Sequence, residues 1–122
     1  MLLWSARAAA LVAVSVACYL TLSPDPTGAG MLPDWVGHLG IFASVGASFA
    51  LLRRVSGWKS SQLRLLVVVV LVLAVATEAG QAFTGRDPDL GDLVFDIAGG
   101  LIALAGTDAV LARLRRGVEV IE

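Results

Sequence analysis

The stretch L-R-L-L-V-V-V-V-L-V-L-A-V-A-T-E-A-G-Q, Leu63 to Gln81, decides what kind of protein this is. From Leu65 to Ala76 no side chain is polar, and then a glutamate follows at Glu78. A bilayer core is crossed by about 20 predominantly apolar residues in a helix. Three further blocks have that character: Leu3–Leu22, Trp35–Leu52 and Leu93–Ala112, beside Leu63–Phe83 for the quoted run. The second is short and rich in Gly, Ala and Ser, the small residues that let membrane helices pack closely. The expected fold is therefore all-α and integral to a membrane, a bundle of four transmembrane helices joined by short loops.

Composition agrees. Of 122 residues, 57% are hydrophobic and 16% charged, with a mean hydropathy of +0.84. Soluble domains hold about 45–50% apolar and about 25% charged residues. The four spans consume most of residues 1–122, so one transmembrane domain is expected and no soluble one. Cys18 is the lone cysteine and has no partner for an intrachain disulfide. The first span lacks a strongly basic flank and three spans follow it, so it is expected to stay as a helix rather than to be cleaved as a signal peptide. Arginine outnumbers lysine eight to one and asparagine is absent, a usage that fits a GC-rich bacterial genome.

Charge sets the orientation. Arg7, Arg53, Arg54, Lys59, Arg64, Arg113, Arg115 and Arg116 all fall on one side of an up-down threading. Basic residues in short loops mark the cytoplasmic side, so both termini are expected in the cytoplasm. The opposite loops carry Asp25, Asp34, Asp87, Asp89 and Asp92, with only Arg86 against them. The Pro- and Gly-rich segment from Ser23 to Asp34 reads as an irregular loop. Asp34 is expected to cap the second helix, and Asp89 or Asp92 the fourth.

The same threading brings polar pairs together. Asp34 and His38 open the second span at i,i+4 spacing; Asp92 and Asp96 open the fourth in the same way. Glu78 and Gln81, at i,i+3, lie near the end of the third span and share a helix face. All three pairs belong to one shallow layer on the non-cytoplasmic side, within reach of Arg86. Ionisable groups inside a membrane are costly and mark function by default. Each has a bland reading beside the functional one: caps for Asp34 and Asp92, helix-to-helix hydrogen bonding for His38, a counter-ion to Glu78 or Asp96 for Arg86. Asp87 and Asp89 read as solvated turn residues, Asp108 as an ion-pair partner for nearby arginines, and Gly99-Gly100 as a close-packing site. Glu78 has the least plausible bland reading.

The spacing D-x-x-x-H (Asp34, His38), E-x-x-Q (Glu78, Gln81) and R-x5-D-x3-D-x-x-G (Arg86, Asp92, Asp96, Gly99) resembles the signature of VanZ-like membrane proteins. The resemblance runs from Asp34 to about Gly99 and includes the four-span layout. Two positions depart from it: Trp35 stands where the family usually has Lys, and Asp96 where it usually has Asn. The resemblance implies a bacterial cytoplasmic-membrane protein with an envelope role of the glycopeptide-resistance type. It implies no settled biochemical activity.

Three functions fit the layer. The first is binding of a membrane lipid or lipid-linked envelope precursor by Asp34, His38, Glu78, Gln81, Arg86, Asp92 and Asp96. Bare phosphate would be repelled by four carboxylates. Such a ligand needs Arg86, His38 or a divalent cation held among His38, Glu78, Asp92 and Asp96; magnesium commonly bridges carboxylates to phosphates. The second is an intramembrane hydrolase or transferase with His38 as acid/base; no good nucleophile accompanies it, Thr84 being a candidate and Ser44 and Ser48 lying deeper, and there is no strong zinc spacing such as H-x3-H. The third is a small proton-coupled transporter or assembly factor using His38 and Glu78. Nucleic acid is not an expected partner; a second copy of the chain is a candidate one.

Overall fold

The structure, a computed structural model, describes residues 1–24 and 32–119, with side chains to residue 117. Asp25 and most of the expected irregular loop lie outside the described residues. Four helices follow one another: α1 Leu2–Leu22, α2 Asp34–Val55, α3 Ser60–Gln81 and α4 Leu90–Glu119. Each is long and apolar enough to cross a membrane. Between 22% and 33% of the most apolar part of each helix is buried inside the protein. The remainder is an apolar outer surface, with Leu11, Val12, Val68, Val72, Ile102 and Val110 all exposed. In water that surface would be untenable; in lipid it needs no partner. The chain is an all-α bundle with the architecture of a multi-pass membrane protein.

α2 and α4 form the central pair. His38 meets Asp96, Gly46 meets Gly100 and Arg53 meets Asp108, so residue numbers rise together and the two helices run parallel. α1 packs antiparallel on α2, and α3 closes the bundle against α4. The tight approach of α2 to α4 depends on glycine. A methyl group added at Gly46 would collide with the Gly100 carbonyl, and one at Gly99 with the Leu39 carbonyl. Small residues that admit such backbone contact substitute in lipid for the missing hydrophobic drive between helices. Around the pair lies an apolar core of Val45, Phe49, Ala50, Leu66, Val70 and Leu104, extended toward α1 by Ala10 and Ala17.

The helix ends are set by local chemistry. α2 stops at a Schellman motif: Gly57 turns left-handed at φ 66°, Trp58 N–H reaches the Arg53 carbonyl at 3.1 Å and Gly57 N–H the Arg54 carbonyl at 3.2 Å. Those bonds satisfy carbonyls that the helix leaves open. α3 unwinds after Gln81, where Arg86 N–H wraps back to the Gln81 carbonyl with Gly85 at φ 79°. The helix therefore ends two residues before Phe83, the expected boundary. The cap of α4 is Asp89, whose Oδ1 accepts the Gly91 N–H at 2.5 Å. Asp34 does not cap α2. Pro33 holds that position, with no side-chain cap bond, and Asp34 is the first helical residue, where its charge favours the positive end of the helix dipole.

Candidate functional site

The non-basic ends of α2, α3 and α4 converge on His38. The α2 register places it 3% exposed, facing the parallel neighbour α4. Its Nδ1 lies 2.9 Å from Asp96 Oδ1, and its Nε2 faces Asp92 Oδ2 at 3.5 Å. The i,i+4 spacing of Asp92 and Asp96 lets one helix address both ring nitrogens. Glu78 enters from α3, 5% exposed, with Gln81 beside it at 1%. Donor atoms of His38, Glu78 and Asp96 lie within 4.8 Å of one another, and so do those of Asp34, His38 and Asp92. The imidazole thus stands between a buried acidic pair and a more open one.

Glu78 joins helices as well. Its Oε1 accepts the backbone N–H of Asp89, which ties the end of α3 to the start of α4. No sequence pattern signals this bond, because the donor is main chain. Its other oxygen, Oε2, is buried with no hydrogen-bond partner, as are Asp96 Oδ2 and Gln81 Nε2. Buried polar atoms are nearly always partnered. Three orphans in one small region are therefore informative: two acceptors and one amide donor, presented by side chains that are at least nine-tenths buried.

Arg86 does not pair with Glu78 or Asp96, the counter-ion roles expected of it. Its Nη1 donates to the carbonyls of Leu20 and Thr21 at 3.3 Å each, and its Nη2 lies 3.5 Å from Asp34 Oδ2. The last carbonyls of a helix have no partner within it and carry partial negative charge. Arg86 therefore fastens the end of α1 to the start of α2. The Asp34 side chain is 70% exposed, so it marks the open rim of the layer. Trp35, also at the rim, packs on Phe95 with ring centroids 5.2 Å apart, a contact the sequence did not suggest.

A second polar cluster occupies the opposite end. Asp108 accepts Arg53 Nη1 at 2.5 Å and receives both Arg54 Nε (2.7 Å) and Arg54 Nη2 (2.6 Å). Fifteen residues of α2 separate His38 from Arg53, about 22 Å of helix. Phe42, Val45, Val70 and Leu104 fill the interval, each 1% exposed or less. The polar groups within it are spent locally: Ser48 donates to the Val45 carbonyl, and Thr77 to the Leu73 and Ala74 carbonyls. Ser44 and Thr84 likewise donate to the carbonyls of Ile41 and Gln81. No hydroxyl among these is hydrogen-bonded to His38, as an activated nucleophile would be. Comparison with family models, with curated proteins and with solved structures finds no match to this chain.

Proposed function

We propose that this chain is a VanZ-like protein of the bacterial cytoplasmic membrane that binds the polar head of an envelope lipid or lipid-linked precursor. The observation that carries the reading is the buried layer of His38, Glu78, Gln81 and Asp96 with its three unpartnered atoms. Two free acceptors and one free amide suit a hydroxyl-rich head, such as the sugar of a lipid-linked glycan. Asp92, 17% exposed at its side chain, and Asp34 lead from the layer to the surface. The layer lies near helix ends, at the depth where a lipid head would sit with its chains along the apolar outer surface.

The apolar interval between the two polar ends disfavours a proton-coupled transporter. The absence of a hydroxyl bonded to His38, among the described residues, disfavours covalent catalysis by the chain alone. The spacing of Asp34, His38, Glu78, Gln81, Arg86, Asp92 and Gly99 supports the family reading, and the envelope role of the glycopeptide-resistance type follows from it. Eight of nine basic residues on one side support a layer that faces outward, with both termini cytoplasmic.

Purification in mild detergent followed by mass spectrometry of bound lipid tests the binding. The expected result is a polyprenyl-linked or glycosylated lipid that is lost in Glu78→Gln. Retention of bulk phospholipid alone, equally in both proteins, would refute the reading. The orientation has its own check. A reporter fused after Glu122 should read as cytoplasmic, and a periplasmic signal from that fusion would overturn the outward-facing layer.

A further inference from the structure

We infer that His38, Glu78 and Asp96 form a binding site for one divalent transition-metal ion of the zinc class. The inference stands on the donor set and not on the lipid reading. The three residues come from three helices, each less than a tenth exposed, with donor atoms gathered within 4.8 Å. Ligands 2.0–2.2 Å from a zinc ion stand about 3.4 Å apart in a tetrahedron. Separations within 4.8 Å exceed that spacing by at most about 1.4 Å.

Charge accounting points the same way. Glu78 and Asp96 place two carboxylates at a site where solvent does not reach, and Arg86 is engaged elsewhere with Asp34 and the end of α1. A divalent ion neutralises both. Each carboxylate keeps one oxygen without a hydrogen-bond partner, Glu78 Oε2 and Asp96 Oδ2, so coordination requires no existing partner to be given up at those atoms.

The imidazole is set for the role. A carboxylate that binds the far nitrogen of a histidine fixes the tautomer and orients the ring toward a metal. Asp92 faces Nε2 at 3.5 Å, which directs Nδ1 at Asp96. Without an ion, Nδ1 and Asp96 Oδ1 are joined by a hydrogen bond of 2.9 Å. A metal bound at Nδ1 replaces that hydrogen bond, its proton leaves to solvent, and Asp96 offers its unpartnered Oδ2 to the ion. One imidazole with two carboxylates favours zinc over magnesium, which prefers all-oxygen shells rich in water. Three protein ligands leave a fourth position open, as in zinc sites that bind a further ligand; Gln81, three residues from Glu78 on α3, keeps an unpartnered amide nitrogen.

The test uses the full-length, tag-free chain in detergent micelles, stripped with a chelator and titrated with zinc and then with magnesium by calorimetry and metal analysis. The expected result is one zinc ion per chain, a rise in melting temperature that the chelator reverses, and a visible absorption band when cobalt replaces zinc. Glu78→Gln and Asp96→Asn should each weaken zinc binding by roughly tenfold or more. Asp87→Asn, in the exposed turn, should leave it unchanged. If Asp96→Asn fails to fold, Glu78→Asp, which keeps the charge but withdraws the ligand by one methylene, supplies the second variant. Zinc binding without co-purifying lipid supports the site on its own. No zinc uptake and no thermal shift in the wild-type chain at millimolar zinc would overturn it, and so would wild-type affinity in Glu78→Gln or preferential binding of magnesium.

Discussion

Asp108→Asn should lower the stability of the folded bundle by about 3–5 kcal/mol, the usual cost of removing one partner from a buried ion pair. Asp108 is 7% exposed and Arg53 6%, and the Arg54 side chain is 28% exposed. A single carboxylate holds two guanidiniums, so its loss leaves two like charges packed together. Arg54 can turn toward the surface. Arg53 cannot do so without leaving the α2–α4 interface. Thermal or denaturant unfolding in micelles measures the effect. The double variant Arg53→Met, Asp108→Leu should recover most of the loss, because apolar replacement of a buried pair is often neutral or stabilising. A loss below about 1 kcal/mol for Asp108→Asn would place the cluster in water and not in the packed interface.

That cluster shows what the sequence discloses and what it withholds. Hydropathy across Leu63–Phe83 is enough for a spanning helix, because a lipid-facing helix of about 20 residues needs no tertiary partner to explain its composition. The helix limits are less legible. α4 runs to Glu119, beyond the expected end at Ala112, because Arg and Leu are good helix formers and continue the hydrogen-bond ladder where hydropathy has fallen. α2 likewise continues to Val55, until the left-handed Gly57 terminates it.

The site divides in the same manner. Pairs at i,i+4 spacing, such as Asp92 and Asp96, fix which side chains share a face, and that is local geometry. Which faces meet depends on how α2 packs on α4: their parallel direction follows from up-down threading, but their close approach rests on Gly46 and Gly99, where an added methyl group would strike the backbone of the partner helix. Arg86 departs from its expected pairing for a related reason. Its partners are chiefly the main-chain carbonyls of Leu20 and Thr21, to which side-chain charge patterns are blind. At α2 the residue suited to capping, Asp34, lies one position inside the helix, because Pro33 occupies the cap.

Glu78→Gln should leave the bundle as stable as the wild type, or more so, and weaken ligand binding by roughly tenfold or more. Glutamine keeps the size of glutamate and an oxygen to accept the Asp89 N–H, so the tie between α3 and α4 survives. In the metal-free protein it removes one of two buried carboxylates grouped around His38, neither of them bonded to a Lys or Arg side chain among the described residues, which relieves repulsion instead of breaking an Arg-carboxylate pair. The expected change in stability is therefore under about 1 kcal/mol in the destabilising direction, well short of the penalty for stripping a true ion pair. Binding should weaken by roughly tenfold or more, as for lost ligands and their supports in metal sites. Stability given up at a functional site is regained when the site is neutralised, and the opposite signs of the two effects separate function from packing. Arg86→Gln should behave differently: it loses its bonds to α1 and Asp34 and should cost about 1–2 kcal/mol. The two variants are compared by melting temperature and by retained ligand in the same detergent. A Glu78→Gln protein that unfolds readily would show the carboxylate to be a structural tie. One that is stable and binds as before would leave the buried acidic layer without a functional role.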